Sequence, residues 1–217
     1  MEARAIAAQV IVTGADIGIG KTVFAAGLTG LLDGAYWQPV QPGAREERDS
    51  EVVSLLAGLR TDRVLPEAFC LNEPLSPRTS VHIDGVEIDV PALALPATDR
   101  PLVVEGGSGL MVPLNKHALY IDVLARWNAP VVLCAGTDLC TISHTLLSLE
   151  ALRVRSIPVL GVAFIGERMA YTQMTVARIG QVRVLGRLPH LASLMPEALS
   201  AAMRASFNPA DFLKVPN

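Results

Sequence analysis

Gly14 and Gly20, the latter followed at once by Lys21 and Thr22, make the stretch of clearest chemical content in the chain. Residues 15–19 separate the two glycines, one residue more than in the commonest phosphate-binding loop, in which four residues lie between Gly and Gly-Lys-Ser/Thr. The physical logic survives the longer spacer. Backbone N–H groups of Gly18, Ile19, Gly20 and Val23 can curl around phosphate oxygens at a helix N-terminus, Lys21 adds a point charge, and the Thr22 hydroxyl can reach Mg²⁺. A metal in such a loop needs carboxylates, and Asp49 and Glu105 are suitably placed, Glu105 at the end of an apolar run just before glycines. Asp49 has a second reading, as the side-chain cap of the helix that follows it.

The elements that must hold these residues can be read from hydrophobic period. Residues 9–13 form a short run with β-branched residues, and residues 21–32 carry apolar side chains on a helical period, so strand, glycine loop and helix follow in order. Residues 35–43 predict a second strand interrupted by Pro39 and Pro42, and residues 50–59 a helix beginning near Asp49. Residues 65–99 are proline-rich and poorly periodic. Beyond them come the strand 102–104 ending at Glu105, a helix over 120–127, a strand near 130–136, a helix over 142–155, a strand near 157–166, a helix after Tyr171 and a strand near 182–188. Alternating strands and helices with continuous apolar strands predict a mostly parallel sheet in a three-layer α/β/α arrangement, with ligands at the carboxyl ends of the strands.

Composition narrows the function. Hydrophobic residues make up 51% of the 217 positions and charged residues 18%, which suits a single globular domain over 1–217. The net charge of −3 and the scattered Lys and Arg argue against nucleic acid. No apolar run approaches the roughly 20 residues of a membrane span, and the first residues lack the pattern of a secretory signal. A cytoplasmic protein is expected. Cys70, Cys134 and Cys140 are odd in number and without CxxC spacing, against a disulfide framework or a thiolate zinc site. Cys134 reads as a core strand residue, and Trp37 and Trp127 as core or interface aromatics. His82, His117, His144 and His190 lack metal-ligand spacing; His144 suits a helix-start or interface role, and Ser108 has no His and Asp partners for hydrolase chemistry.

The segments VTGADIGIGKT, YWQPVQPG, RDSE, NEPLSP, VEGGSGLMVPL, LCTISHTLLSLEAL and VLGVAFIG, in this order and spacing, resemble the dethiobiotin synthetases, ATP-dependent ligases that close the ureido ring late in biotin synthesis. The resemblance covers nearly the whole chain and implies a P-loop NTPase-like fold. It implies that CO2 adds to one amine of 7,8-diaminononanoate, that the carbamate takes the γ-phosphoryl group of ATP, and that the second amine displaces phosphate. Lys21 would stabilise the transferring charge, and Thr22, Asp49 and Glu105 would hold Mg²⁺. Pro42, Gly106, Ser108 and Gly109 fall in substrate-side motifs. Leu139, Cys140 and Ser143 match the turn whose helix N-terminus receives the substrate carboxylate across the interface of a homodimer. Adenine would be met by backbone near Gly166, Leu188 and Pro189, because Ile165 stands where some members carry a base-reading asparagine.

Several positions depart from the family pattern. Gln38 occupies the place of a lysine that faces the carbamate and γ-phosphate, so a donor is kept and a charge lost. Loss of such a charge is worth on the order of 2–4 kcal/mol in a barrier. Ile17, Pro42, Arg48, Arg78, Cys140 and Ser143 also differ from the common residues, as does the turn 106–109. These changes leave open a second reading, a divergent homologue that binds nucleotide with weakened or redirected ligase activity, and a third, a related ATP-dependent amidoligase.

Overall fold

The computed structural model describes residues 8–43, 48–72, 79, 83, 85–138 and 140–213. Its centre is a sheet of six strands: β1 (Gln9–Gly14), β2 (Ala35–Trp37), β5 (Leu102–Glu105), β6 (Val131–Ala135), β7 (Val159–Ile165) and β8 (Val184–Leu188). Their order is β2-β5-β1-β6-β7-β8, and every pairing is parallel. Parallel strands covered on both faces carry continuous apolar runs, and Leu102, Val103 and Val104 and all of Val131–Ala135 are buried.

Strand alternation sorts the core into two faces. Val10, Val12, Tyr36, Val103 and Val132 pack with helices α1 (Lys21–Leu31), α2 (Asp49–Ala57) and α6 (Pro196–Ser206). Ile11, Trp37, Leu102 and Val104 pack on the other side with α3 (Tyr120–Trp127). Leu133, Ala135, Val162 and Phe164 meet α4 (Thr141–Val154) and α5 (Ala170–Ile179) there. The three-layer expectation holds. Phe24 anchors the first face, its ring 5.3 Å from that of Phe207 and 6.4 Å from that of Phe212; truncation of such a buried aromatic to Ala costs about 3–5 kcal/mol. On the second face the Trp37 and Trp127 rings lie 5.9 Å apart, tilted by 47°. Trp37 is a core aromatic and Trp127 packs partly buried against it, their indole N–H groups donating to the carbonyls of Pro66 and Leu93.

The second expected strand is divided. Pro39 ends β2, and the chain resumes as β3 (Val40–Gln41), which leaves the main sheet to pair with β4 (Phe69–Cys70). β4 lies in the proline-rich region where periodicity showed no strand. Helix α6 was also absent from the sequence reading, although Pro196 and Glu197 in its first turn are start signals. Among the described residues no helix is long and apolar enough to cross a membrane.

Candidate active site

The carboxyl ends of β1, β2 and β5 meet the N-termini of α1 and α2, and the chemistry-bearing residues converge there. Gly20, at φ 85° and ψ 26°, turns the loop into α1 in the left-handed region that favours glycine. No side chain caps this helix, so its first N–H groups are not consumed by a cap. Gly14 acts through size: a Cβ there would lie 2.7 Å from Lys21 Cδ and 2.9 Å from the Asp16 carbonyl. The lysine stem can lie against the loop only because position 14 carries no side chain.

Thr22, Asp49 and Glu105 come together as the sequence predicted. The Thr22 hydroxyl lies 2.8 Å from Glu105 Oε1 and 3.1 Å from Asp49 Oδ1. Tyr36 donates to Glu105 Oε2 at 2.8 Å, and Gln38 Nε2 to Asp49 Oδ2 at 2.7 Å. Alternation explains why Glu105 is present at all: two residues beyond Val103, it points to the same face as α1. Burial pushes its carboxyl up to about 7, with Lys21 opposing the rise and Asp49 adding to it. One hydroxyl proton serves two carboxylates. This buried, oxygen-only, negatively charged cluster fits a hard divalent cation such as Mg²⁺.

The structure corrects the capping role of Asp49. Its side chain turns to Thr22 and Gln38, and α2 has no side-chain cap at Arg48. Instead Gln41 Oε1 accepts the Asp49 N–H at 3.0 Å, while Gln41 Nε2 donates to the Pro42 carbonyl at 2.6 Å. Pro42 therefore presents a carbonyl already engaged. Gln38 is nearly fully buried, its Nε2 spent on Asp49 and its Oε1 without a partner among the described residues. Tyr36 and Gln41 were missed because nothing local in the sequence shows which distant carboxylate or N–H group a strand residue meets.

Two cavities flank the loop. One, of about 610 Å³, is walled by Gly18, Ile19, Gly20 and Val23 on one side and by Ile165, Leu188 and Pro189 on the other, so the expected nucleotide-side residues gather. Gly166 stands beside it with both backbone groups taken, its N–H donating to Leu188 at 3.0 Å and its carbonyl accepting from Arg187 at 2.6 Å. The other cavity, of about 470 Å³, is lined by Ser108, Gly109, Asp16, Ile17, His144 and Leu147 together with further apolar side chains. Gly106 lies behind it, its N–H bonded to Val12 at 2.8 Å.

His144 Nδ1 meets Asp16 Oδ2 at 2.8 Å and ties the phosphate loop to the first turn of α4, which fits the helix-start role read for it. The Ile17 N–H and His144 hold the Asp16 carboxyl below its ordinary range. Cys140 and Ser143 are exposed at the start of α4, and Leu139 lies outside the described residues. The Asp138 carboxylate already accepts the Thr141 N–H at 3.0 Å, so that helix start carries a cap of its own.

Residues 8–198 match the AAA domain family model. The chain is 59% identical over 206 residues to a protein of Rhodopseudomonas palustris (strain BisA53) named ATP-dependent dethiobiotin synthetase BioD, with 95% of this chain and 97% of that one covered. Proteins of the same name from Bradyrhizobium diazoefficiens and Brucella anthropi are 55% and 56% identical, covering 95% and 91% of this chain and 99% and 93% of theirs. Among solved structures, a plasmid partition protein of Borrelia burgdorferi is similar at TM-score 0.55 and 11% identity, covering 92% of this chain and 97% of that one. The cell division ATPase MinD of Pyrococcus furiosus is similar at TM-score 0.51 and 13% identity, covering 92% and 99%. These last two likenesses concern the fold alone. With identity above one half along nearly its whole length, and a phosphate loop, two carboxylates and a threonine gathered at one sheet edge, the chain belongs to the dethiobiotin synthetase family.

Proposed function

We propose that this protein is a dethiobiotin synthetase, joining CO2 to 7,8-diaminononanoate at the expense of ATP and working as a cytoplasmic homodimer of single-domain chains. The observation that carries the reading is the meeting of Thr22, Asp49 and Glu105 beside Lys21 in a chain so similar to proteins of that name. In the reaction one substrate amine forms an N–C bond to CO2 and loses a proton. A carbamate oxygen then attacks the γ-phosphorus as ADP leaves, and the second amine attacks the carbamoyl carbon, losing a proton as phosphate leaves.

The chain's own groups have definite tasks in this sequence. N–H groups of the loop and of the first turn of α1 bind phosphate oxygens, and the Lys21 ammonium meets the charge that builds on the transferring group. Thr22, Asp49 and Glu105 would hold Mg²⁺, which neutralises phosphate charge and polarises the phosphoryl group. The cavity between Gly18, Ile165 and Pro189 is of a size for the nucleoside, and the partly apolar cavity at Leu147 for the alkyl chain. Ser108 and Gly109 border the second cavity, and exposed Cys140 and Ser143 on α4 are open to a partner subunit's substrate. Gln38 serves the site as a neutral donor in place of a cation.

Purified protein given Mg·ATP, bicarbonate and 7,8-diaminononanoate is expected to yield dethiobiotin, ADP and phosphate in equal amounts. Product no greater than that of the Lys21→Ala variant would overturn the reading.

A further inference from the structure

Tyr36 and Gln38 stand two residues apart at the carboxyl end of β2, and each donates to a different carboxylate of the oxygen cluster. Tyr36 holds Glu105 Oε2 at 2.8 Å and Gln38 holds Asp49 Oδ2 at 2.7 Å. In both carboxylates it is the opposite oxygen, Glu105 Oε1 or Asp49 Oδ1, that faces the Thr22 hydroxyl. We propose that Tyr36 and Gln38 are paired positioning residues, each locking one carboxylate oxygen so that Glu105 and Asp49 each offer a single oxygen to Mg²⁺. The proposal rests on the metal-site reading given above.

The arrangement follows from strand geometry. Residues 36 and 38 fall on one face by the period of two, and Tyr36 sits in register with Val103, two residues before Glu105. The phenol spans the remaining gap. Tyr36 is fully buried, so its hydroxyl has no competing water. At Gln38 the amide must turn Nε2 to Asp49, since a carboxylate only accepts. That orientation leaves Gln38 Oε1 buried without a partner among the described residues, which costs stability. The penalty is tolerated at a place where the only benefit visible is a fixed Asp49.

Single-oxygen donation has a consequence for metal choice. Mg²⁺ demands near-octahedral geometry and keeps several waters, whereas Ca²⁺ accepts two-oxygen carboxylates and higher coordination. A carboxylate pinned at one oxygen must give up or bend that hydrogen bond to bind through both. Position 38 thus acts on the metal through Asp49, a different task from that of a cation facing the transferring phosphoryl group.

The test is Mn²⁺ binding to the protein in saturating ADP, followed by electron paramagnetic resonance, with Mg²⁺ and Ca²⁺ as competitors. ADP affinity in chelator serves as the metal-free reference. Tyr36→Phe and Gln38→Met are expected to weaken Mn²⁺ about 10–100-fold and narrow the preference for Mg²⁺ over Ca²⁺, with metal-free ADP affinity within about twofold of the parent. Parent-like Mn²⁺ affinity in both variants, while Asp49→Asn loses the metal, would overturn the positioning role and leave the metal site standing. Parent-like affinity in Asp49→Asn itself would overturn both. If Tyr36→Phe does not fold, as judged by circular dichroism, the exchange at Gln38 decides alone.

Discussion

The two ends of the phosphate loop differ in how complete they are. At the Thr22 end, Glu105 is buried, and Tyr36, Gln38 and Thr22 occupy the carboxylates of Glu105 and Asp49. At the Asp16 end, the loop leans on α4 through one half-exposed pair with His144, and Ile17, Met111 and Leu147 present apolar side chains to solvent. A buried polar cluster is costly unless satisfied, so it must be assembled within the fold; an exposed apolar rim gains by being covered later. The carboxylate end is therefore preformed, and the proposed homodimer would cover the other end.

Removing the cation tests the preformed end most severely. Lys21→Ala is expected to lower kcat about 10²–10³-fold with the thermal transition nearly unchanged, as measured by phosphate release and calorimetry. A loss of less than tenfold would mean that the charge is not aimed at the transferring group. The same corner should show itself in stability. Glu105 titrates at about 7 in the fold, against 4.5 for an ordinary carboxyl, so the folded state retains a proton that the unfolded chain has released. Metal-free protein should lose stability as pH rises from about 4.5 through about 7, by up to ~3 kcal/mol, and Glu105→Gln should flatten that slope in denaturant titrations. A slope unchanged by the substitution would place the titration elsewhere.

Gln38→Lys asks which group position 38 serves. An ammonium bonded to Asp49 should weaken Mg²⁺ several-fold and leave kcat at saturating Mg²⁺ within about threefold, a change near 0.7 kcal/mol. A large rise in kcat would instead show the side chain facing the phosphoryl group. At the Asp16 end, sedimentation at micromolar concentration should give twice the 23.1 kDa chain mass, and Leu147→Glu should shift it toward monomer. A monomeric parent would refute the shared-site reading. The smallest effect is expected for His144→Ala, whose exposed pair with Asp16 should contribute no more than about 1 kcal/mol to unfolding.

Much of this contrast was legible in the residues and part was not. Continuous apolar runs at 102–104 and 131–135 mark parallel strands because both faces are buried, and the pattern needs no partner to be recognised. The loop, Thr22, Asp49 and Glu105 carry their chemistry in residue type and spacing. The hydrogen-bond partners did not: Tyr36 meets a carboxylate 69 positions away, and only the sheet register brings them together. Asp49 illustrates the limit, since cap and ligand require the same residue at the same place, and the choice depends on Gln41 taking over the helix N–H. Strand β4 escaped notice because two residues paired at a small outer sheet leave no periodic trace.

Trp37 and Trp127 are the chain's only tryptophans; their rings lie 5.9 Å apart, and Trp37 stands between Tyr36 and Gln38 in the chain but on the opposite face of the sheet. The molecule thus contains an optical gauge across the sheet from the carboxylates of Glu105 and Asp49. Coupled indoles give a near-ultraviolet dichroic signal, and their emission follows any shift of the strand end. Loss of the core is expected to change the signal of that one pair of rings in the unlabelled protein.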